Sequence, residues 1–192
     1  MKAFAQLLMA TGLMVTATAA SAHAGHDAGT GFTSGLLHPM LGLDHLLAMA
    51  AIGFWSVRQS ATLKNSTPLF VIGGMVVGAG IAWGGLSLPG VETGIALSVL
   101  LAGILIATMA KLPTAVGGSL VAAFMVFHGF AHGSEMPAGA ALVAYLVGFS
   151  IATLAVSLVG RGVGRLTLKA DNRFSRGFGG VLAVAGAYLA TA

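Results

Sequence analysis

The sequence predicts an all-α membrane protein, with six transmembrane helices in the mature chain after a cleavable signal peptide. Three observations carry this. Hydrophobic residues make up 57% of the 192 and charged residues only 7%, against about 25% charged in a soluble domain. Apolar stretches close to the ~20 residues that cross hydrocarbon recur along the chain. Basic residues cluster in alternate connections between those stretches.

The elements follow in order. Lys2, an apolar run from Ala3 to about Val15, and small residues from Ala17 to Ala24 have the three-part form of a secretory signal. The predicted organisation is a signal peptide over 1–22 and a single transmembrane domain over 23–192, with cleavage after Ala24 as the other fitting site. The predicted spans are 36–57, 67–86, 91–110, 113–132, 136–159 and 174–192. Pro39, Pro68, Pro113 and Pro137 lie close to span starts, where a helix tolerates proline.

Apart from Lys2, every Lys and Arg falls on one side: Arg58, Lys64, Lys111, Arg161, Arg165, Lys169, Arg173 and Arg176. The positive-inside rule makes that side cytoplasmic and puts both mature termini outside, as a cleaved signal also requires. This predicts a multi-pass protein of the bacterial inner membrane. The pI near 10.0 then reflects inner-loop charge and not a nucleic-acid surface. There is no cysteine, which excludes disulfides, thiolate metal sites and iron–sulfur clusters. Gly74/Gly78, Gly80/Gly84, Gly129/Gly133 and Gly160/Gly164 recur at i, i+4. Such pairs let helix backbones approach closely in lipid, within one chain or between copies in a homo-oligomer. A helix that moves during transport is the other reading.

The chemistry concentrates in two stretches. His38, Asp44 and His45 stand in an apolar segment, where burying such groups costs several kcal/mol each without compensation. On one continuous helix, His38 and His45 at i, i+7 share a face. His128, His132 and Glu135, at i, i+4, i+7, share a face of the fourth span. The first span enters from outside and the fourth exits outward, so the two columns run antiparallel over one depth interval. If these helices touch, His45 and Asp44 face His128, and His38 faces His132 and Glu135.

This donor set suits a divalent first-row cation, since imidazole favours nickel, cobalt, zinc or copper. Asp44 either ligates directly or orients a histidine. Ligation needs neutral imidazole, with a reference pKa of about 6.5, so capture of such a cation is expected to weaken as external pH falls through that value, unless a proton gradient drives it. His23 and His26, near the predicted mature N-terminus, are candidate accessory metal-capture residues or solvated tail residues. Met40, Met49, Met125 and Met136 near the clusters read as core filling or as thioether ligands. Glu92 reads as a helix-start charge or a cation attractor, and Tyr145, Ser150, Thr153 and Ser157 as hydrogen-bonding or packing residues.

The string HPMLGLDHLLAMAAIGFW at 38–55 resembles the N-terminal signature of the HupE/UreJ family, and FHGFAHGSE at 127–135 resembles its second signature. The resemblance covers essentially the whole chain. It implies a secondary nickel or cobalt permease supplying metal to hydrogenase or urease, with His38, Asp44 and His45 in the first motif and His128, His132 and Glu135 in the second. It implies no enzyme activity and no permanently bound cofactor, only the transported Ni²⁺ or Co²⁺. No G-x-x-x-x-G-K-[ST] phosphate loop is present, which excludes ATP as the direct drive. A haem-bearing electron carrier with His45 and His128 as axial ligands is the alternative from another class. A metal-dependent membrane hydrolase is a third.

Overall fold

The structure is a computed structural model that describes residues 31–169 and 171–191. The predicted signal peptide, His23 and His26 lie outside the described residues. Those described form seven α-helices and no strand. They are α1 (Gly31–Leu37), α2 (Leu43–Ser56), α3 (Ala61–Trp83), α4 (Val91–Thr108), α5 (Thr114–Ser134), α6 (Leu142–Thr167) and α7 (Asn172–Leu189). A single 3-10 turn, His38–Met40, joins α1 to α2.

The first predicted span is not one helix. Gly31–Met40 and Leu43–Ser56 meet at an 80° bend. Pro39 lies in the 3-10 turn, and Gly42 is extended (φ −99°, ψ 115°), so the helical hydrogen-bond ladder stops and restarts there. The i, i+7 argument for His38 and His45 therefore fails in its premise, because they belong to different helical pieces.

Other boundaries move for local reasons. Ser60 accepts from Leu63 N–H (3.2 Å) and starts α3 well before the predicted 67, leaving Pro68 inside the helix. Gly139 adopts φ 80° in the turn before α6, which delays that helix to Leu142 and leaves Pro137 in the connection. Asp171 caps α7 by accepting from Arg173 N–H at 2.9 Å.

Helices α3 to α6 are long and apolar enough to cross a membrane, and the bent α1–α2 pair makes a fifth if counted as one span. Helix α7 falls short of that apolarity, with Arg173 and Arg176 in its first turns.

Helices pack in pairs through glycine. On α3 and α5, a Cβ on Gly78 would stand 2.6 Å from Phe130 N and against Val126 O, and one on Gly129 would meet the Met75 backbone. Gly160 and Gly164 bring α6 against α2, while Gly103, Gly179 and Gly186 do the same for α4 and α7. Among the described residues, Gly80 and Gly84 pack against no other helix, unlike the other predicted pairs. The core between the pairs holds Met49, Phe54, Trp55, Met75, Met125, Tyr145 and Phe149. Core filling thus accounts for Met49 and Met125.

The basic residues gather at one end of the bundle. There Arg58 donates to Ser175 Oγ (2.8 Å) and Arg161 to Asn65 Oδ1 (3.3 Å). Gln59 donates to Ala110 O (3.0 Å) and accepts from Leu112 N–H (3.0 Å), tying α2 to the α4–α5 connection. Glu92, Glu135 and His38 mark the opposite end.

Candidate metal centre

The bend at Gly42 sets up the first half of the site. Helix α2 restarts at Leu43, and Asp44 Oδ1 accepts from both His45 N–H (2.8 Å) and His45 Nδ1–H (2.9 Å). A carboxylate only accepts, so this pair leaves Nε2 of His45 as the ring's lone pair. A Cβ on Gly42 would stand 2.9 Å from both Asp44 Oδ1 and His45 Nδ1. The glycine thus breaks the helix and leaves room for the pair.

The second half comes from the last turns of α5. The glycine contact with α3 and the bond from Trp83 Nε1–H to Gly133 O (3.0 Å) fix that segment. It carries His128 and His132, both fully buried, and ends at Glu135. Glu135 Oε2 accepts from His38 Nε2–H at 2.8 Å, across the mouth of the bundle. His132 stacks on Phe149 of α6 (ring centroids 5.4 Å), and Tyr145 flanks His38 at 5.9 Å.

The imidazoles meet. His45 lies 4.8 Å from His128 and 4.7 Å from His132 between ring centroids, and His38 lies 4.9 Å from His132. Helices α2 and α5 approach through these rings and not through close backbone packing. His45 is the hub, touching both histidines of α5. Exposure falls from the mouth inward: the side chains of Glu135 and His38 are 58% and 21% exposed, that of His45 11%, and His132 and His128 1% and 0%. Nε2 of His45, Nδ1 of His128 and both ring nitrogens of His132 are buried with no hydrogen-bond partner among the described residues. Buried polar atoms are rarely left so, and each such atom asks for an explanation.

A metal–imidazole bond of about 2.0–2.1 Å places two ring centroids on one ion roughly 4.5–5.2 Å apart. The observed separations fall in that window. Among the described residues, however, no three His, Asp or Glu side chains point donor atoms at one spot. The rings are near enough to share an ion but are turned edge to face, at 87° for His45 and His128. The haem alternative gains no support: these two rings are in contact, whereas axial imidazoles on opposite sides of an iron stand over about 6 Å apart with the macrocycle between.

Ser98, on α4, went unnoticed in the sequence although it lies 3.0 Å from His128 Nε2. Phe149, the face on which His132 stacks, was missed too. The available signal for Ser98 was a lone hydroxyl in the apolar run of α4, between Thr93 and Thr108. On the basic side of Ser98 a small apolar cleft of about 30 Å³ runs between α2, α4 and α5, lined by Ile52, Trp55, Leu105, Val121 and Phe124 among others. Glu92 is exposed in the first turn of α4.

A family model described as "HupE / UreJ protein" matches residues 11–189. The curated relative Protein HupE of Rhizobium leguminosarum bv. viciae is 39% identical over 171 residues, covering 88% of this chain and 89% of its own. No solved structure matches.

Proposed function

Because the chain belongs to the HupE/UreJ family, we propose that it is a secondary transporter taking up a divalent transition-metal ion, nickel or cobalt, and that the histidine cluster between α2 and α5 receives the ion. The carrying observation is the set of buried, unpartnered nitrogens on three touching imidazoles. Neutral imidazole nitrogen is the donor that nickel and cobalt accept, and a cluster of lone pairs in an apolar bundle has no comparable use in packing alone.

The order of burial gives the order of events. Glu135 and His38 at the mouth offer negative charge and a first nitrogen to a hydrated ion. The ion then exchanges water for the nitrogens of His132, His45 and His128, whose rings turn from edge-to-face packing to point at a common centre. Asp44 acts through His45, orienting its Nε2 and balancing positive charge. His23 and His26, outside the described residues, serve as accessory capture at the mature N-terminus.

In this reading a signal peptide is removed, six spans cross the bacterial inner membrane, and both termini lie outside. The basic end of the bundle is cytoplasmic, and α7 is the sixth span. The membrane potential contributes about 4–5 kcal/mol per divalent ion at 100 mV, enough for accumulation on the order of a thousand-fold. The delivered metal serves an enzyme such as hydrogenase or urease. The open face of α3 around Gly73 and Gly80 is the surface for a second copy of the chain.

The test is accumulation of radioactive nickel, and separately cobalt, by cells making the protein or its His45→Ala variant at equal abundance. The reading expects uptake above empty cells that the variant loses. Uptake that survives loss of His45 removes the cluster from the pathway, and no uptake of either ion removes the transport reading.

A further inference from the structure

We infer that Ser98 is a positioning residue for the cation site, holding His128 in the tautomer whose Nδ1 lone pair is available to the ion. The inference rests on the cation-binding reading above and extends the site to a third helix, α4. Ser98 is buried, and its hydroxyl has two neighbours: Ile95 O at 2.6 Å and His128 Nε2 at 3.0 Å. A serine hydroxyl has one proton and can accept as well. The Ile95 carbonyl can only accept, and it takes the shorter contact, so the hydroxyl proton goes to Ile95 O. The serine oxygen then accepts from His128 Nε2–H.

That choice decides the other end of the ring. With the proton on Nε2, the buried and unpartnered Nδ1 of His128 is a lone pair. In the opposite tautomer it would be a buried N–H donor with nothing to receive it, at a desolvation cost of about 1–3 kcal/mol. Asp44 does the mirror-image work on His45, holding the proton on Nδ1 and freeing Nε2. The two rings in contact thus present opposite nitrogens, Nε2 of His45 and Nδ1 of His128, each fixed by a neighbour that itself does not ligate. Partners of this kind on metal-bound histidines set tautomer and orientation, and losing one lowers metal affinity about 10–100-fold.

The experiment uses the full chain in nanodiscs with ¹⁵N-labelled histidine. The tautomer of His128 is read without metal from long-range ¹H–¹⁵N correlations, assigned against His128→Asn. Nickel affinity is then read by equilibrium dialysis for the wild type, Ser98→Ala and Ser98→Thr. The expected result is the Nε2–H tautomer in the wild type and Ser98→Thr, and its loss in Ser98→Ala. Nickel affinity should fall about 10–100-fold in Ser98→Ala and recover in Ser98→Thr. A wild-type His128 protonated at Nδ1, or a tautomer unmoved by Ser98→Ala, overturns the inference. So does a tautomer that follows Ser98 while nickel affinity stays level. A wild type that binds no nickel overturns the cation site itself, and the metal-free tautomer measurement tells that failure apart.

Discussion

Gly78 and Gly80 sit on the same helix, two residues apart, and predict opposite consequences for one added methyl group. A Cβ on Gly78 would stand 2.6 Å from Phe130 N and press on Val126 O, both backbone atoms of α5. Comfortable heavy-atom contact begins near 3.5 Å, and a helix backbone cannot swing aside as a side chain can, so α5 must retreat by more than about 1 Å. Overpacking of this kind costs about 1–3 kcal/mol. A Cβ on Gly80 meets nothing within 4 Å. There alanine keeps only its helical advantage over glycine, about 0.5–1 kcal/mol. At about 2–4 °C per kcal/mol, Gly78→Ala should melt several degrees below the wild type and Gly80→Ala at or slightly above it. Thermal unfolding in nanodiscs, followed by circular dichroism, reads the difference. Because α5 carries His128 and His132, Gly78→Ala should also weaken nickel binding while Gly80→Ala leaves it intact. Two variants that melt together, or a Gly78→Ala that melts higher, would refute the close-packed α3–α5 contact.

Further outcomes follow from the site and its supports. Asp44→Ala strips His45 of the acceptor for its Nδ1–H and should lower nickel affinity about 10–100-fold by equilibrium dialysis. Asp44→Asn, whose amide oxygen still accepts, should lose less. Gly42→Ala pushes a methyl into the Asp44–His45 pair and should mimic Asp44→Ala in binding. Gln59→Leu leaves Leu112 N–H without its side-chain acceptor at the far end of the bundle, and leaves Ala110 O only the longer bond from Trp55 Nε1–H (3.3 Å). It should cost about 1–3 kcal/mol of stability in thermal unfolding, with nickel affinity unchanged.

The candidate site residues were legible because imidazoles and carboxylates are costly in an apolar segment and so stand out from it. Their pairing was legible because positive-inside topology fixes which ends of two helices share a depth. His45 meets His128, and His38 meets His132 and Glu135, although the continuous helix assumed for the first pair does not exist. The break was hidden because Pro39 also fits the start of a span and glycine is common inside membrane helices; Gly53, for one, stays helical and packs against Ser157. The same ambiguity concealed which glycine pairs had partners: Gly74 and Gly78 do, whereas Gly80 faces outward. Ser98 was invisible for a different reason. A lone serine in an apolar helix bonds back to the preceding turn, as this one does to Ile95 O, and only tertiary structure reveals the imidazole on its other side. The start of α3 followed a cap at Ser60 and not the apolar run, since hydropathy is blind to capping.

A divalent ion held by the imidazoles of α2 and α5 has a distinctive coordination shell. X-ray absorption on the nickel-loaded protein, beside the His45→Ala variant, tests it most directly. The expected shell is nitrogen and oxygen only, with the outer-shell scattering of at least two imidazoles, diminished when His45 is removed. A shell containing methionine sulfur, or an imidazole signal unchanged in His45→Ala, would contradict it.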